Sequence, residues 1–300
     1  PLKKFLPLVT LIVYLQTASA QPLYSDTSAT PKTQRDTDTS IRLKAQKDNV
    51  ITASTILKIE NMGPNVNSDL AELRPTVSAD GNLLFFICEN HPDNTKYGSV
   101  SNSQDIWYSE RDSSGKWGPA IHMGYPINTT YYNAVYWISP DNNRILIRGA
   151  FSEGGYMGKG VSMSHLKKDG TWSVPNALNI KNYFKYDKGQ QSGATMANDG
   201  QTLMFYMSED KGSYNNDIYV CFLEKDGSWT EPKSIGKKIN LPNYNEMTPY
   251  LASDGVTLYF SSNRPGGLGD NDIWMTKRLD KTWLKWSDPV NLGSPINTPD

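Results

Sequence analysis

From residue 51 onward, short apolar runs alternate with clusters of Asp, Gly, Asn, Ser and Pro. The clearest runs are Leu83 to Cys88, Ile145 to Ile147, Leu203 to Met207 and Thr257 to Phe260. They are nearly continuous rather than alternating, which is the pattern of strands covered on both faces. Three of the four follow an Asp-Gly pair, Asp80-Gly81, Asp199-Gly200 and Asp254-Gly255, and the fourth follows Asp141-Asn142. An Asp-Gly pair between two apolar runs predicts a hairpin with a type I′ turn. No stretch after Ile51 has the 3.6-residue period of a long amphipathic helix, so a parallel sheet with crossover helices is excluded.

The runs belong to a repeat. Trp117, Trp172, Trp229 and Trp286 follow one another at 55, 57 and 57 residues, and each opens a similar phrase ending in Pro. Ile127-Asn128, Ile239-Asn240 and Ile296-Asn297 close three of these phrases. Asp105-Ile106-Trp107, Asp217-Ile218-Tyr219 and Asp272-Ile273-Trp274 stand between turn and Trp; the second repeat has only Gly160-Val161-Ser162 there. Each repeat thus holds four strand candidates, and self-similarity at this period predicts an all-β propeller of four-stranded antiparallel blades. The four Trp are expected to be buried between blades. Ile56 to Gly63 with Val66-Asn67-Ser68 resembles the fourth-strand phrase of a blade whose first three strands are missing. The sequence therefore predicts an incomplete propeller, with five or more blades in the natural protein, in which residues 246–297 do not pack directly on residues 72–128.

These phrases resemble the TolB-type, WD-repeat-like β-propeller repeats of bacterial envelope proteins. The fourth copy carries the resemblance best, with Ser253-Asp254-Gly255, Leu258 to Phe260, Ser261-Ser262-Asn263-Arg264-Pro265-Gly266-Gly267, Asp272-Ile273-Trp274 and Trp286. The resemblance spans about residues 51–300 and implies a periplasmic or outer-membrane setting, often beside an OmpA-like domain.

The termini and composition add to this picture. Lys3 and Lys4, the apolar run Phe5 to Leu15 and Ala18-Ser19-Ala20 form the three parts of a secretory signal over residues 1–20. Residues 21–50 are Ser, Thr, Asp, Lys and Gln with few apolar anchors, the composition of a disordered linker. Residues 51–300 form the propeller. The formal net charge is −1, which supplies no basic face for nucleic acid. No direct membrane insertion is expected after signal cleavage. Cys88 and Cys221 lie in apolar runs; export permits a disulfide, but two buried thiols are the expectation.

No catalytic constellation is visible. His91, His122 and His165 lack metal-ligand spacing, and no G-x-S-x-G elbow or phosphate-cradling loop occurs. Asp270-Asn271-Asp272 could hold a cation, but a carboxylate capping backbone N–H groups explains such phrases better. No metal and no cofactor is expected. Asn128-Thr129-Thr130 reads both as a glycosylation sequon and as the Ile-Asn repeat element. One aromatic cluster suits ligand binding: Tyr131, Tyr132, Tyr136 and Trp137, with Tyr156 in the following loop, joined by Arg148 and Arg264. The expected function is a non-enzymatic scaffold binding an envelope protein or glycan. The alternative is a glycan-processing enzyme of sialidase or lyase type, for which Arg74, Arg144, Arg148 and Arg264 stand at comparable repeat positions.

Overall fold

The computed structural model describes residues 60–96, 103–130 and 132–299. The signal sequence and linker, and Tyr131, lie outside the described residues. Four antiparallel four-stranded sheets form a four-bladed β-propeller. Blade 1 comprises β1 (Ala71–Val77), β2 (Leu83–Glu89), β3 (Gln104–Glu110) and β4 (Ile121–His122). Blade 2 comprises β5 (Val135–Ile138), β6 (Arg144–Ser152), β7 (Gly155–His165) and β8 (Asn176–Ala177). A four-residue helix, α1 (Tyr183–Tyr186), lies in the connection to blade 3, which comprises β9 (Gly193–Met196), β10 (Thr202–Met207), β11 (Asp217–Phe222) and β12 (Lys233–Ser234). Blade 4 comprises β13 (Glu246–Leu251), β14 (Thr257–Ser262), β15 (Asp272–Lys277) and β16 (Val290–Asn291).

The pleat explains why the second strands are apolar throughout. In β10, Leu203, Phe205 and Met207 point toward blade 2, where they meet Leu146 and Val161. The alternate residue Met204 points toward blade 4 and meets Leu258 and Phe260. Phe85 of β2 likewise packs with Ile145 and Ile147 of blade 2. Its neighbours Leu84, Phe86 and Cys88 face the other way and are covered by Met62 and Val66. Residues 60–62 are not a strand; the orphan phrase instead docks as a turn, with the Asn65 amide donating to the Trp117 carbonyl at 2.7 Å. Packing runs from blade 1 to 2, 2 to 3 and 3 to 4. Among the described residues no hydrophobic cluster joins blade 4 to blade 1, as the sequence led us to expect.

The hairpins form where the Asp-Gly pairs stand, but not as type I′ turns. Only the glycine takes a positive φ, +76° at Gly81, +66° at Gly200 and +65° at Gly255. The Gly81 N–H donates to the Ser78 carbonyl, and Ser78 N–H closes the loop on Leu83. The turn is a four-residue loop, with the Asp80 carboxylate accepting from Ser78 Oγ and Asn82 N–H.

A second local device recurs. The Gly-x-x-Ile-Asn turns after β4, β12 and β16 each close on the Gly carbonyl. Each then turns its Asn side chain onto the third strand of its own blade. Asn128 accepts from Ile106 N–H at 2.9 Å and donates to Ile106 C=O at 3.0 Å. Asn240 does the same to Ile218, at 2.9 and 2.9 Å, and Asn297 to Ile273, at 2.8 and 3.0 Å. Asn128 is therefore a buried clamp, which removes the sequon reading.

Cys88 and Cys221 are buried free thiols in different blades. Burial raises both, that of Cys88 to about 11, the behaviour of small core hydrophobes.

The expectation of Trp burial between blades holds for Trp229 and Trp286; Trp117 is buried against its own blade and the turn that holds Met62 and Val66, and Trp172 is only half-buried. Trp172 lies 6.3 Å from the Phe85 ring, the two rings steeply inclined. Trp229→Ala should cost about 3–5 kcal/mol in denaturant melts, as for aromatic truncation in a core, and Trp172→Ala less than half as much. Equal losses would contradict the difference in burial.

Candidate functional site

The connections between blades and the loops joining second to third strands all meet at one end of the propeller. Three features of the first strands aim side chains at its axis there. β1 carries a bulge between Leu73 and Thr76, where Arg74 has φ +50°. β5 has a bulge between Val135 and Trp137, which turns out Tyr136. In β9 a Cβ at Gly193 would clash with the Tyr206 ring, so glycine there lets Tyr206 lie across the strand. These three side chains, one from each of blades 1 to 3, come together: the Arg74 guanidinium lies 5.0 Å from the Tyr136 ring and 5.5 Å from the Tyr206 ring. Each such stack is worth about 0.5–2 kcal/mol, more where desolvated.

Arg148 approaches from β6, where it pairs with Val161 and lies 5.3 Å from the Tyr132 ring. Burial holds the Arg74 guanidinium below its ordinary range, Tyr136 opposes this, and Arg148 lowers it further. Neither arginine has a carboxylate partner among the described residues. Two cations near enough for one to perturb the other, with no carboxylate between them among the described residues, favour an anion beside them.

Beside them is a recess of about 30 Å³ lined by Tyr136, Arg148, Tyr156, Lys159, Tyr183, Gln190 and Ser192. No Asp or Glu lines it. One water needs roughly 10–15 Å³ of such space, so the recess has room for about two waters, or a small polar group of that size. Its floor is an organised network around Asp187, whose side chain is fully buried. One carboxylate oxygen accepts from Lys159 Nζ at 3.0 Å. The other accepts from Tyr183 Oη at 2.7 Å and Ser192 Oγ at 2.9 Å. Burial, then the Asp187 charge, pushes the Tyr183 phenol well up. Tyr156, 53% exposed, stands at the rim, its ring edge-on to Phe151. Gly149, at φ +94°, is required there, because a Cβ would meet the Tyr156 ring at 2.8 Å.

The structure thus gathers Tyr132, Tyr136, Arg148 and Tyr156. It separates Trp137 and Arg264 from them. Trp137 is buried in the core of blades 2 and 3, with Arg144 at 5.8 Å from its ring. Arg264 is buried inside blade 4, pairing with Glu246 at 3.1 Å and stacked between Phe260 and Trp274. Burial pushes Glu246 up to about 7 against the pull of Arg264. Lys159, Asp187 and Tyr206 were not singled out from the sequence, and Arg74 stood out only as one of four arginines at comparable repeat positions. The Arg74-Pro75 step inside a first strand was the available signal, since Pro there breaks ladder pairing and favours a bulge.

The Asp-Ile-aromatic carboxylates split. Asp105 accepts from Thr95 N–H at 2.6 Å, and Asp272 from the N–H groups of Leu268 and Gly269, as caps should. Among the described residues no group of three or more His, Cys, Asp or Glu is arranged to hold a metal. Asp217 caps nothing; burial, with Glu209 and Asp210 adding repulsion, raises it to about 6.

No family model and no curated protein matches the chain. Solved structures do. A periplasmic gluconolactonase of Pseudomonas aeruginosa is 12% identical over 78% of this chain and 61% of its own, with a TM-score of 0.43. A glycosyl hydrolase of Bacteroides ovatus is 9% identical over 77% and 71%, at 0.44. Prolyl oligopeptidase B of Galerina marginata is 16% identical over 75% and 30%, at 0.36. This chain therefore spans less than a third of the oligopeptidase and under two thirds of the lactonase. The likeness is one of fold alone; the β-propeller rests on the four sheets themselves. These propellers are nevertheless named as enzymes, which overturns the expectation of a non-enzymatic chain: the fold accommodates catalysis as well as binding.

The Asp217 shift has a pH consequence. Between the ordinary 3.8 and about 6 the folded state binds more protons than the unfolded one. Stability that is present below this window is therefore lost as pH rises through it. Asp217→Asn should flatten the profile and raise stability at neutral pH. Parallel profiles for the two proteins in denaturant melts would contradict this.

Proposed function

We propose that this chain is an exported glycan-handling propeller that seats the carboxylate of an acidic sugar between Arg74 and Arg148. The observation that carries the reading is a pair of guanidiniums that feel one another and lack carboxylate partners among the described residues, Arg74 stacked by Tyr136 and Tyr206 and Arg148 by Tyr132. Guanidinium forks match carboxylates, and aromatic faces suit sugar rings. The size of the recess fits one small group of a larger ligand, whose remainder would lie across the exposed Tyr156. The repeat phrases support membership among TolB-type envelope propellers, and the leader-like residues 1–20 support export. No helix among the described residues is long and apolar enough to cross a membrane.

The lining favours elimination over hydrolysis as the accompanying chemistry. Two-carboxylate hydrolysis needs a pair of Asp or Glu about 5–9.5 Å apart across the scissile bond; the recess has only Asp187 in its floor, its oxygens already engaged by Lys159, Tyr183 and Ser192. Arginines that neutralise a uronate carboxylate acidify the adjacent C–H, and Tyr136 or Tyr156, as a phenolate, would take that proton, since Lys159 and Tyr183 are committed as donors to Asp187. The C–H and glycosidic C–O bonds break, a C=C bond forms, and the leaving oxygen takes up a proton.

Calorimetric titration with glucuronate-containing oligosaccharides and with neutral glucans tests the binding. The acidic ligands alone should bind, and Arg148→Ala should weaken them at least about tenfold, the scale of one lost charged hydrogen bond. Equal binding of neutral glucans, or an Arg148→Ala protein that binds as before, would contradict the reading. Ultraviolet detection of an unsaturated product, absent with Arg148→Ala, would add turnover.

A further inference from the structure

A separate feature lies on the flank, between blades 1 and 2. A slot of about 420 Å³ is lined by Phe85, Tyr108, Glu110, Asn142, Leu166 and Trp172. That is the size of a small-ligand pocket.

The molecule itself shows what fits this shape. By repeat register, Phe85, Tyr108 and Glu110 of blade 1 correspond to Met204, Val220 and Phe222 of blade 3, and Trp172 of blade 2 to Trp286 of blade 4. At the interface of blades 3 and 4 those positions are not open. They are closed by Trp283, which stacks 5.7 Å from Phe222 and 5.9 Å from Trp286, within one core cluster that includes Met204 and Val220. Trp283 comes from a turn two residues longer than its counterparts: Arg278 to Trp286 replaces Leu166 to Trp172. Blade 2 has the short turn, nothing enters, and Trp172 stays half-buried beside the slot.

We propose that this slot binds a tryptophan side chain carried on a short basic turn of a partner polypeptide. Charge supports that occupant. Where Phe222 stacks on Trp283, blade 1 offers the exposed carboxylate of Glu110, which has no ion-pair partner among the described residues; Arg111, which also lines the slot, is engaged elsewhere, its guanidinium lying 4.5 Å from the Trp117 ring. The turn that delivers Trp283 carries Lys281 and Lys285 on either side of it. A partner built the same way brings an indole to Phe85, Tyr108 and Trp172 and opposite charge to Glu110. This inference is independent of the axial cup.

The probe is an acetylated, amidated peptide with the sequence of residues 279–285, labelled and titrated against the full chain by fluorescence anisotropy. A tethered side chain fills its slot at an effective concentration near millimolar, so the free peptide should saturate with a Kd of roughly 0.1–1 mM. Replacing its tryptophan by alanine should abolish saturation. Tyr108→Ala should weaken binding at least about fivefold and Glu110→Lys about threefold, in line with the loss of an aromatic contact and of an exposed charge pair. A graft of residues 279–285 in place of residues 167–171 fills the slot from within. It should raise the melting temperature and eliminate peptide binding. No saturation by about 10 mM, roughly ten times the weakest expected Kd, would overturn the proposal. So would equal binding of the alanine peptide, or undiminished binding to a folded graft.

Discussion

Much of this architecture hangs on one short-range interaction, the two hydrogen bonds that an asparagine side chain makes to the backbone of its blade's third strand. Asn128, Asn240 and Asn297 each spend both amide atoms on an isoleucine peptide unit. A buried backbone group left without a partner costs about 1–3 kcal/mol, so each clamp fixes where the chain leaves one blade for the next. The preceding isoleucine is then driven into the groove between blades, as Ile127 and Ile239 show.

Blade 2 lacks the clamp, and the candidate site is found there. Its connection to blade 3 runs from Leu178 to Ser192, includes α1, and is anchored by the buried Asp187. Its second and third strands, β6 and β7, extend beyond those of the other blades and carry Arg148, Tyr156 and Lys159 to the axial end. The copy that abandons the repeat rule is thus the copy that presents charge and aromatic surface. Local rules are commonly broken where a protein does its work.

The strands were legible in the sequence because burial on both faces leaves an unbroken apolar run, and because four copies at one period reinforce each other. The turn type was not, since Asp-Gly supports two loop geometries and the choice falls to the Asp carboxylate, which in each hairpin accepts from the N–H two residues on, at Asn82, Gln201 and Val256. The site was legible in part. Tyr132, Tyr136, Arg148 and Tyr156 stand close together in the chain, and the hairpin of β6 and β7 keeps them close in space. Arg264 reads in sequence as another candidate because its partner Glu246, eighteen residues away, is tied to it only once β13 and β14 pair. Arg74 reads in sequence only as one of four repeat-position arginines, for the converse reason: the bulge that aims it at the axis is a property of the strand pairing, and its neighbours come from two other blades. Trp172 illustrates a third limit, since its exposure depends on a turn length in its own blade and on the residues that another blade sets against it.

The central claim is that two arginines from different blades jointly form a carboxylate site. A crystal structure of the protein soaked with glucuronate tests it most directly. The account predicts the sugar carboxylate bound by both the Arg74 and Arg148 guanidiniums, with the ring lying toward Tyr156. A carboxylate bound away from this pair, or an Arg74 found in an ion pair with an acidic side chain of the protein itself, would contradict it.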